Sequence, residues 1–396
     1  MNWFSSKKTH QKLVAVFDIG SASIGGSLVL LSQTPKGVAP IPPKILHVVR
    51  HPFIFQEDFD FSRFVFSMLQ ALEATGKDLE ALKLGAPKEV YCYLSSPWCA
   101  GQTRVVTFQK NTPFTFTKKL WRELIGREVA TFKVREFTDY MEAGDEIRIL
   151  EQKTMHMALN GYPITDPVGK KATDLAMSLY VSISPEKIVA AIEHSIEHFF
   201  RAPLHFSSFV FGTYIAVRDA FAGEKQFLLV DVAGEVTDIG LVRDGILSES
   251  ASFPSGKNFV VRRVSTGLNR TGPDALALIN LATSGSINQN MKPDMDKLLE
   301  KARTEWLSYF QSALANMSSD LSLPSTVFLT ADADMAAWFQ NAIKTEQFNQ
   351  YILTEKQFNV ILIGAESLHT FVSTDSVKER DPFLMLETIV VNRINQ

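Results

Sequence analysis

Short continuous apolar runs alternate with stretches whose apolar residues recur at helical spacing along most of the chain, which predicts an α/β architecture. Leu13 to Phe17 is one such run and Ile24 to Leu31 a second. The link between them, Asp18-Ile19-Gly20-Ser21-Ala22-Ser23, is almost all small, so the two runs read as a β-hairpin. A helix is expected from Phe61 to Ala74, with Phe61, Phe64, Val65, Met68, Leu69 and Leu72 on one face and Gly76 and Lys77 ending it.

From about residue 88 to 183 the pattern changes to several strands around one helix. Val90 to Ser95, Thr103 to Gln109, Lys153 to Leu159 and Asp174 to Ile183 read as strands, and Thr117 starts a helix carrying Leu120, Leu124, Ile125 and Val129. This suits a small α+β insertion. Pro185 then opens a helix with Ile188, Val189, Ile192 and Ile196 on one side. The second half repeats the opening motif. Gln226 to Val232 is a strand ending in Asp231, Ala233-Gly234-Glu235-Val236 is a short link, Thr237 to Val242 is the return strand, and Ile246 begins a third. A hairpin whose first strand ends in Asp, occurring twice, suggests a duplicated lobe. Asp294 to Leu314 reads as a long helix, Thr326 to Thr330 and Asn359 to Ile363 as strands, and Ser284 to Pro293 as the least regular stretch.

Length and charge narrow the possibilities. The 396 residues exceed one simple core and suit two lobes. A formal charge of −3 gives no general attraction to nucleic acid or anionic lipid. The two cysteines, Cys92 and Cys99, have neither zinc-ligand spacing nor a disulfide framework and read as structural thiols of a reducing cytoplasm. No run of about 18 apolar residues suggests a membrane span. The first residues, with Trp3, Phe4, Lys7 and Lys8, read as a frayed arm rather than a secretory signal. His194 and His198 share a helix face with no further ligand nearby and read as surface histidines.

The hairpins carry the candidate chemistry. A polyphosphate needs many donors at close quarters, and backbone amides supply them only where side chains are small, as in Gly20-Ser21-Ala22-Ser23. Two such hairpins facing each other would grip phosphates from both sides. Asp18 and Asp231 would then stand beside a bound Mg²⁺, which keeps most of its waters and needs only one or two carboxylates.

These segments resemble the phosphate motifs of the actin–Hsp70–sugar kinase superfamily, with Asp18-Ile19-Gly20-Ser21 similar to the first and Asp231 to Asp238 to the second. Within it the chain is most similar to the FtsA family of bacterial cell division, with the pilus protein PilM second. Asn160 to Gly169 resembles a stretch of the FtsA insertion, and the short arm before the first strand is more like PilM. The resemblance implies a two-lobed actin-like ATPase fold of duplicated RNase H-like lobes, with a small α+β insertion in the first. It divides the chain into an arm (1–11), a first lobe (12–87 and 184–224), the insertion (88–183), a second lobe (225–265 and 321–396) and its mostly helical part (266–320).

It also implies roles. Asp18 and Asp231 would be the catalytic and, through water, Mg²⁺-holding carboxylates. Gly20, Ser21, Ser23, Gly234, Thr237, Gly256, Lys257, Thr330, Ala331 and Asp332 would contact ATP. Three departures stand out. Ala331 and Asp332 replace a glycine pair in the adenosine motif, Glu235 adds a charge that repels phosphate, and Lys257 offers a compensating cation. Weak binding or a degenerate site is therefore expected more than turnover. The implied setting is the cytoplasmic face of the cell membrane. The implied partners are copies of itself in filaments or dimers, with either FtsZ or a pilus membrane protein, and the implied membrane contact is peripheral. The last apolar stretch, Pro382 to Val391, reads as a packed element rather than a membrane anchor.

Overall fold

The computed structural model describes residues 11–32, 41–135, 146–317, 322–348, 351 and 357–396. Trp3, Phe4, Lys7 and Lys8 of the expected arm lie outside the described residues. The first sheet runs in the order β3 (Lys44–Pro52), β2 (Ser23–Ser32), β1 (Gln11–Ile19), β4 (Val90–Leu94), β9 (Leu204–Ser208). The second runs β12 (Ile246–Phe253), β11 (Thr237–Arg243), β10 (Phe227–Val232), β13 (Thr326–Ala331), β14 (Asn359–Leu362). In each, the first three strands are antiparallel and the last two run parallel to the central one. The duplication read from two Asp-ended hairpins is thus a duplication of whole sheets.

The continuous apolar runs follow from burial on both faces. In β1, Ala15, Phe17 and Ile19 pack under α1 (Phe61–Ala81) and α3 (Glu186–Glu197), while Val14 and Val16 face the other way. In β10, Leu228, Val230 and Val232 meet the helices α5 (Lys257–Leu268), α6 (Gly272–Thr283), α7 (Lys292–Met317) and α8 (Ala336–Thr345). Phe227 and Leu229 point instead toward the face shared with β1. Between the sheets lie α4 (Phe209–Ala220), the short α9 (Ala365–Leu368) and α10 (Pro382–Ile394). Asp381 caps α10 and Pro382 starts it. Its Leu384, Met385, Leu386 and Val391 are fully withdrawn from solvent, each contributing about 1.5–3 kcal/mol of burial.

The third sheet, β5 (Ala100–Thr115), β8 (Lys171–Pro185), β6 (Ile147–Leu159) and β7 (Tyr162–Pro163), carries α2 (Lys118–Arg135) and its own small core. In the chain it lies between β4 and α3.

Three expectations are corrected. The strand at Val90–Leu94, assigned to the insertion, pairs with β1 and β9 in the first sheet, so the insertion's sheet begins at Ala100. The end of the chain, assigned to the second lobe, returns as α10 to pack on α4, β1 and β2. Helix α1 continues past Gly76 to Ala81, its last turn burying Leu79 in the core, and Gly76 makes room for the Phe199 ring: an added Cβ would stand 2.4 Å from it.

Candidate functional site

The two hairpins face each other, and their tips touch. Gly20 N–H closes the first turn on the Ser23 carbonyl (3.2 Å), and Ala233 N–H closes the second on that of Val236 (3.0 Å). Glu235 N–H donates to Ser21 Oγ at 3.0 Å. Gly234 lies against the first hairpin so closely that a Cβ would stand 2.5 Å from the Ser21 carbonyl oxygen. Behind the second hairpin, the first amides of α5 are already engaged. Lys257 N–H donates to the Ala233 carbonyl (2.9 Å) and Asn258 N–H to that of Gly234 (2.8 Å). Gly256 permits this contact, since its Cβ would lie 2.3 Å from the Ala233 oxygen. Thr237 Oγ1 donates to the Ser255 carbonyl at 2.7 Å, which holds the loop from below.

The charged groups are matched within the chain. Asp18 accepts from Arg50 Nη2 at 2.7 Å, and Ser23 Oγ from Arg50 Nη1 at 2.8 Å. Burial pushes the Asp18 carboxyl up to about 6, with Arg50 acting in the opposite sense. Asp231 faces Thr330 on the neighbouring strand and accepts its hydroxyl proton at 2.7 Å. Burial raises Asp231 well above the carboxylate range, and the Thr330 bond only partly offsets that. Asp238, opposite Asp231, accepts from Ser252 and from Ser96 of the first lobe.

Lys257 is neither a surface lysine nor a partner of Glu235. Its ammonium bridges Asp332 (3.0 Å) and Asp334 (2.5 Å), and these two carboxylates more than offset the effect of burial, so that its pKa is raised. Glu235 is matched instead by Arg262, with Asn258 Nδ2 donating at 2.8 Å.

The remaining space lies on either side of this contact. A cavity of about 430 Å³ touches Ser21, Glu235 and Lys257, and another of about 370 Å³ touches Arg50, Ala331, Asp332 and Asp381. The Lys257–Asp332 ion pair joins the lining of one to the lining of the other.

No family model matches the chain, and no curated protein matches it. Among solved structures, a PilM–PilN type IV pilus biogenesis complex aligns over 96% of this chain and 96% of that one, with TM-score 0.58 and 13% identity. MreB 5 of Spiroplasma citri bound to AMPPNP aligns over 97% of each chain at TM-score 0.44 and 9% identity. A Bacteroides thetaiotaomicron protein with an actin-like ATPase fold and unknown function covers 91% of this chain and 93% of its own, at TM-score 0.41 and 10% identity. The fold is the actin-like ATPase fold. At such identities the likeness is one of architecture, and the site has to be judged on its own residues.

In an actin-like cleft of this kind, the residues present do not fit a magnesium-bound polyphosphate. The Asp18 carboxylate already has a cation, the tip amide already has an acceptor, and Lys257 already has two carboxylates. Asp332 and Glu235 would add negative charge beside the phosphates.

Three residues of the site escaped the sequence reading: Arg50, Asp381 and Glu387. Glu387 interrupts an apolar helix, so a lone charge within a hydrophobic run was the signal available for it, whereas Arg50 stands in a strand that also carries His47 and His51. Glu387 is 1% exposed, and among the described residues neither carboxylate oxygen has a hydrogen-bond partner. His194 lies exposed on α3 and His198 exposed just past its end, and among the described residues no group of three or more metal-type ligands gathers. No described helix is long and apolar enough to cross a membrane.

Proposed function

We propose that this protein is an actin-like-fold scaffold of the PilM type, which receives an extended segment of a membrane-protein partner at the cytoplasmic face of the membrane. In this reading the hairpin cleft, whose nucleotide contacts are degraded, performs no ATP turnover. The observation that carries it is the open edge of β6. That strand pairs with β8 along one side, whereas its other side meets β7 only through Ala158 and Leu159 among the described residues. An unpaired strand edge presents a row of backbone donors and acceptors, a template for an added strand.

A groove follows this edge. Cavities of about 640 and 530 Å³ share Thr154 and Met155, and together they border β6 from Leu150 to His156, beyond which the Met157 carbonyl accepts from Ile164 N–H (2.9 Å). Seven residues of strand reach about 23 Å, enough for a short peptide. Phe206, Phe211 and Tyr214 of the first lobe line one end, and Trp121, Pro163 and Ile164 of the insertion line the other. Among the described residues the Trp121 indole N–H is buried there without an acceptor, so a peptide carbonyl would satisfy it. The partner segment is therefore extended, with apolar side chains alternating along it. The likeness to a pilus biogenesis complex supports this reading over recruitment of FtsZ to filaments.

The test is an array of cytoplasmic-tail peptides from bacterial membrane proteins, read by fluorescence polarisation with wild type and Met155→Arg. Peptides captured by the wild type and lost in the variant, at unchanged melting temperature, are expected. Equal binding to both removes the groove from the proposal. Polymers that sediment with FtsZ while no peptide binds favour the division reading.

A further inference from the structure

Asp18, Gly25 and Arg50 stand opposite one another on three adjacent strands, Asp18 paired with Gly25 across β1–β2 and Gly25 with Arg50 across β2–β3. Directly paired residues project to the same face of a sheet. The row therefore places a carboxylate, a gap and a guanidinium side by side. The gap is required: a Cβ on Gly25 would lie 2.5 Å from Arg50 Nη2.

Lying over that glycine, the guanidinium makes three bonds in its own plane. Nη2 donates to Asp18 Oδ2 and Nε to Asp381 Oδ2, both at 2.7 Å, and Nη1 donates to Ser23 Oγ at 2.8 Å. The Phe383 ring covers it at 5.4 Å. Asp381 uses its other oxygen to cap α10, accepting from Phe383 N–H (3.0 Å) and Leu384 N–H (3.2 Å). One cation thus ties the first hairpin to the start of the terminal helix.

We propose that Arg50 is a built-in cation that supplies, beside Asp18, the positive charge a nucleotide's metal would otherwise bring, so that the chain itself holds the first hairpin against the terminal helix with or without nucleotide. A planar guanidinium suits the place, since it meets two carboxylates and a hydroxyl at fixed angles and stays charged at any physiological pH. The cleft between the lobes is closed by the segment after β3. Glu57 accepts from Gly272 N–H (2.9 Å) and Ser265 Oγ (2.7 Å), and the Phe55 ring rests on Gly272. These bonds run from the first lobe to α5 and α6 of the second and use no ligand. The inference does not rest on the peptide groove: loss of peptide binding leaves it standing, and its own failure leaves the groove intact.

The experiment follows wild type, Arg50→Gln and Asp18→Asn/Arg50→Gln by thermal melting and hydrogen exchange, each with and without millimolar Mg·ATP. Wild type is expected to show the same melting temperature and exchange in both conditions. In Arg50→Gln, amides of residues 19–24 and 383–387 are expected to exchange about tenfold faster, the size of one lost charge-assisted bond network. The double variant, free of the uncompensated carboxylate, is expected to recover part of that protection. Saturable Mg·ATP binding by wild type overturns the proposal, as does unchanged exchange in Arg50→Gln. If Arg50→Gln does not fold, the wild-type titration alone decides.

Discussion

Ser21 Oγ accepts the backbone proton of Glu235 at 3.0 Å, a bond that joins hairpin tips 214 positions apart in the chain. An amide at the tip of a phosphate hairpin serves a ligand only while it is free. Here the protein satisfies its own donor, and Gly234 brings the two backbones into contact behind it. The closure is therefore steric as well as polar, which makes each part separately testable.

Gly234→Ala tests the steric part. The obstacles to its Cβ are the Ser21 backbone and the Ala22 Cβ, at 2.5–2.7 Å, and neither is the end of a flexible side chain. The tips must separate, with an expected loss of about 1–3 kcal/mol in urea unfolding. Gly126→Ala is the control, because no heavy atom lies within 4 Å of its added Cβ and it sits within α2. Removing a helical glycine there should stabilise by about 0.5–1 kcal/mol. Equal effects of the two substitutions would refute the contact.

Thr330→Val tests the polar support of Asp231. The hydroxyl is the side-chain donor to a carboxylate that is 6% exposed, and valine keeps the shape without the proton. Leaving that acceptor unmatched should cost about 1–3 kcal/mol. Thr330→Ser retains the donor and should recover most of it. If Ser and Val unfold at the same urea concentration, the bond contributes nothing and the methyl group is what matters.

Phe55→Ala tests the clasp between the lobes. The ring fills the space over Gly272, where a Cβ would approach within 2.2 Å, and Arg262 lies 6.0 Å from its centre. Its truncation should lower stability by about 2–4 kcal/mol. Amides at the start of α6 should exchange faster, while those of the insertion keep their protection. Uniform loss of protection across all three sheets would instead mean that Phe55 acts on the whole fold.

What the sequence made legible was local. The paired hairpins could be read because small links and Asp-ended apolar runs are properties of a few adjacent residues. Membership of a sheet is not local: Val90–Leu94 reads as a strand either way, and only pairing with β1 takes it out of the insertion. The same limit applies to charges. That Lys257 meets Asp332 and Asp334 while Arg262 meets Glu235 depends on which side of α5 turns toward the loop. Arg50 is more demanding still, since its reach to Asp18 needs the three-strand register and the missing side chain of Gly25. Gly76 shows the converse, a helix stop by local rules that is retained because Phe199 packs on it.

Glu387 gives the last prediction, and its sign follows from burial. The carboxyl is buried on α10 with no hydrogen-bond partner among the described residues, and burial raises its pKa well above the ordinary range. The carboxylates of Asp18, Asp381 and Asp231 push the same way and Arg50 the other. An acid whose folded pKa exceeds its unfolded one holds its proton more tightly in the native state. Between the two values the native chain binds more protons than the unfolded one, so this group's contribution to stability falls as pH rises. Glu387→Gln has nearly the shape of the protonated acid and cannot ionise. Its advantage over wild type should therefore be small near pH 4 and grow through pH 7 and beyond, seen as melting temperatures that diverge with pH. A constant difference across that range would mean that Glu387 titrates like an exposed carboxylate or finds a cation on ionising, and the helix would then hold a charge at the heart of the closed cleft.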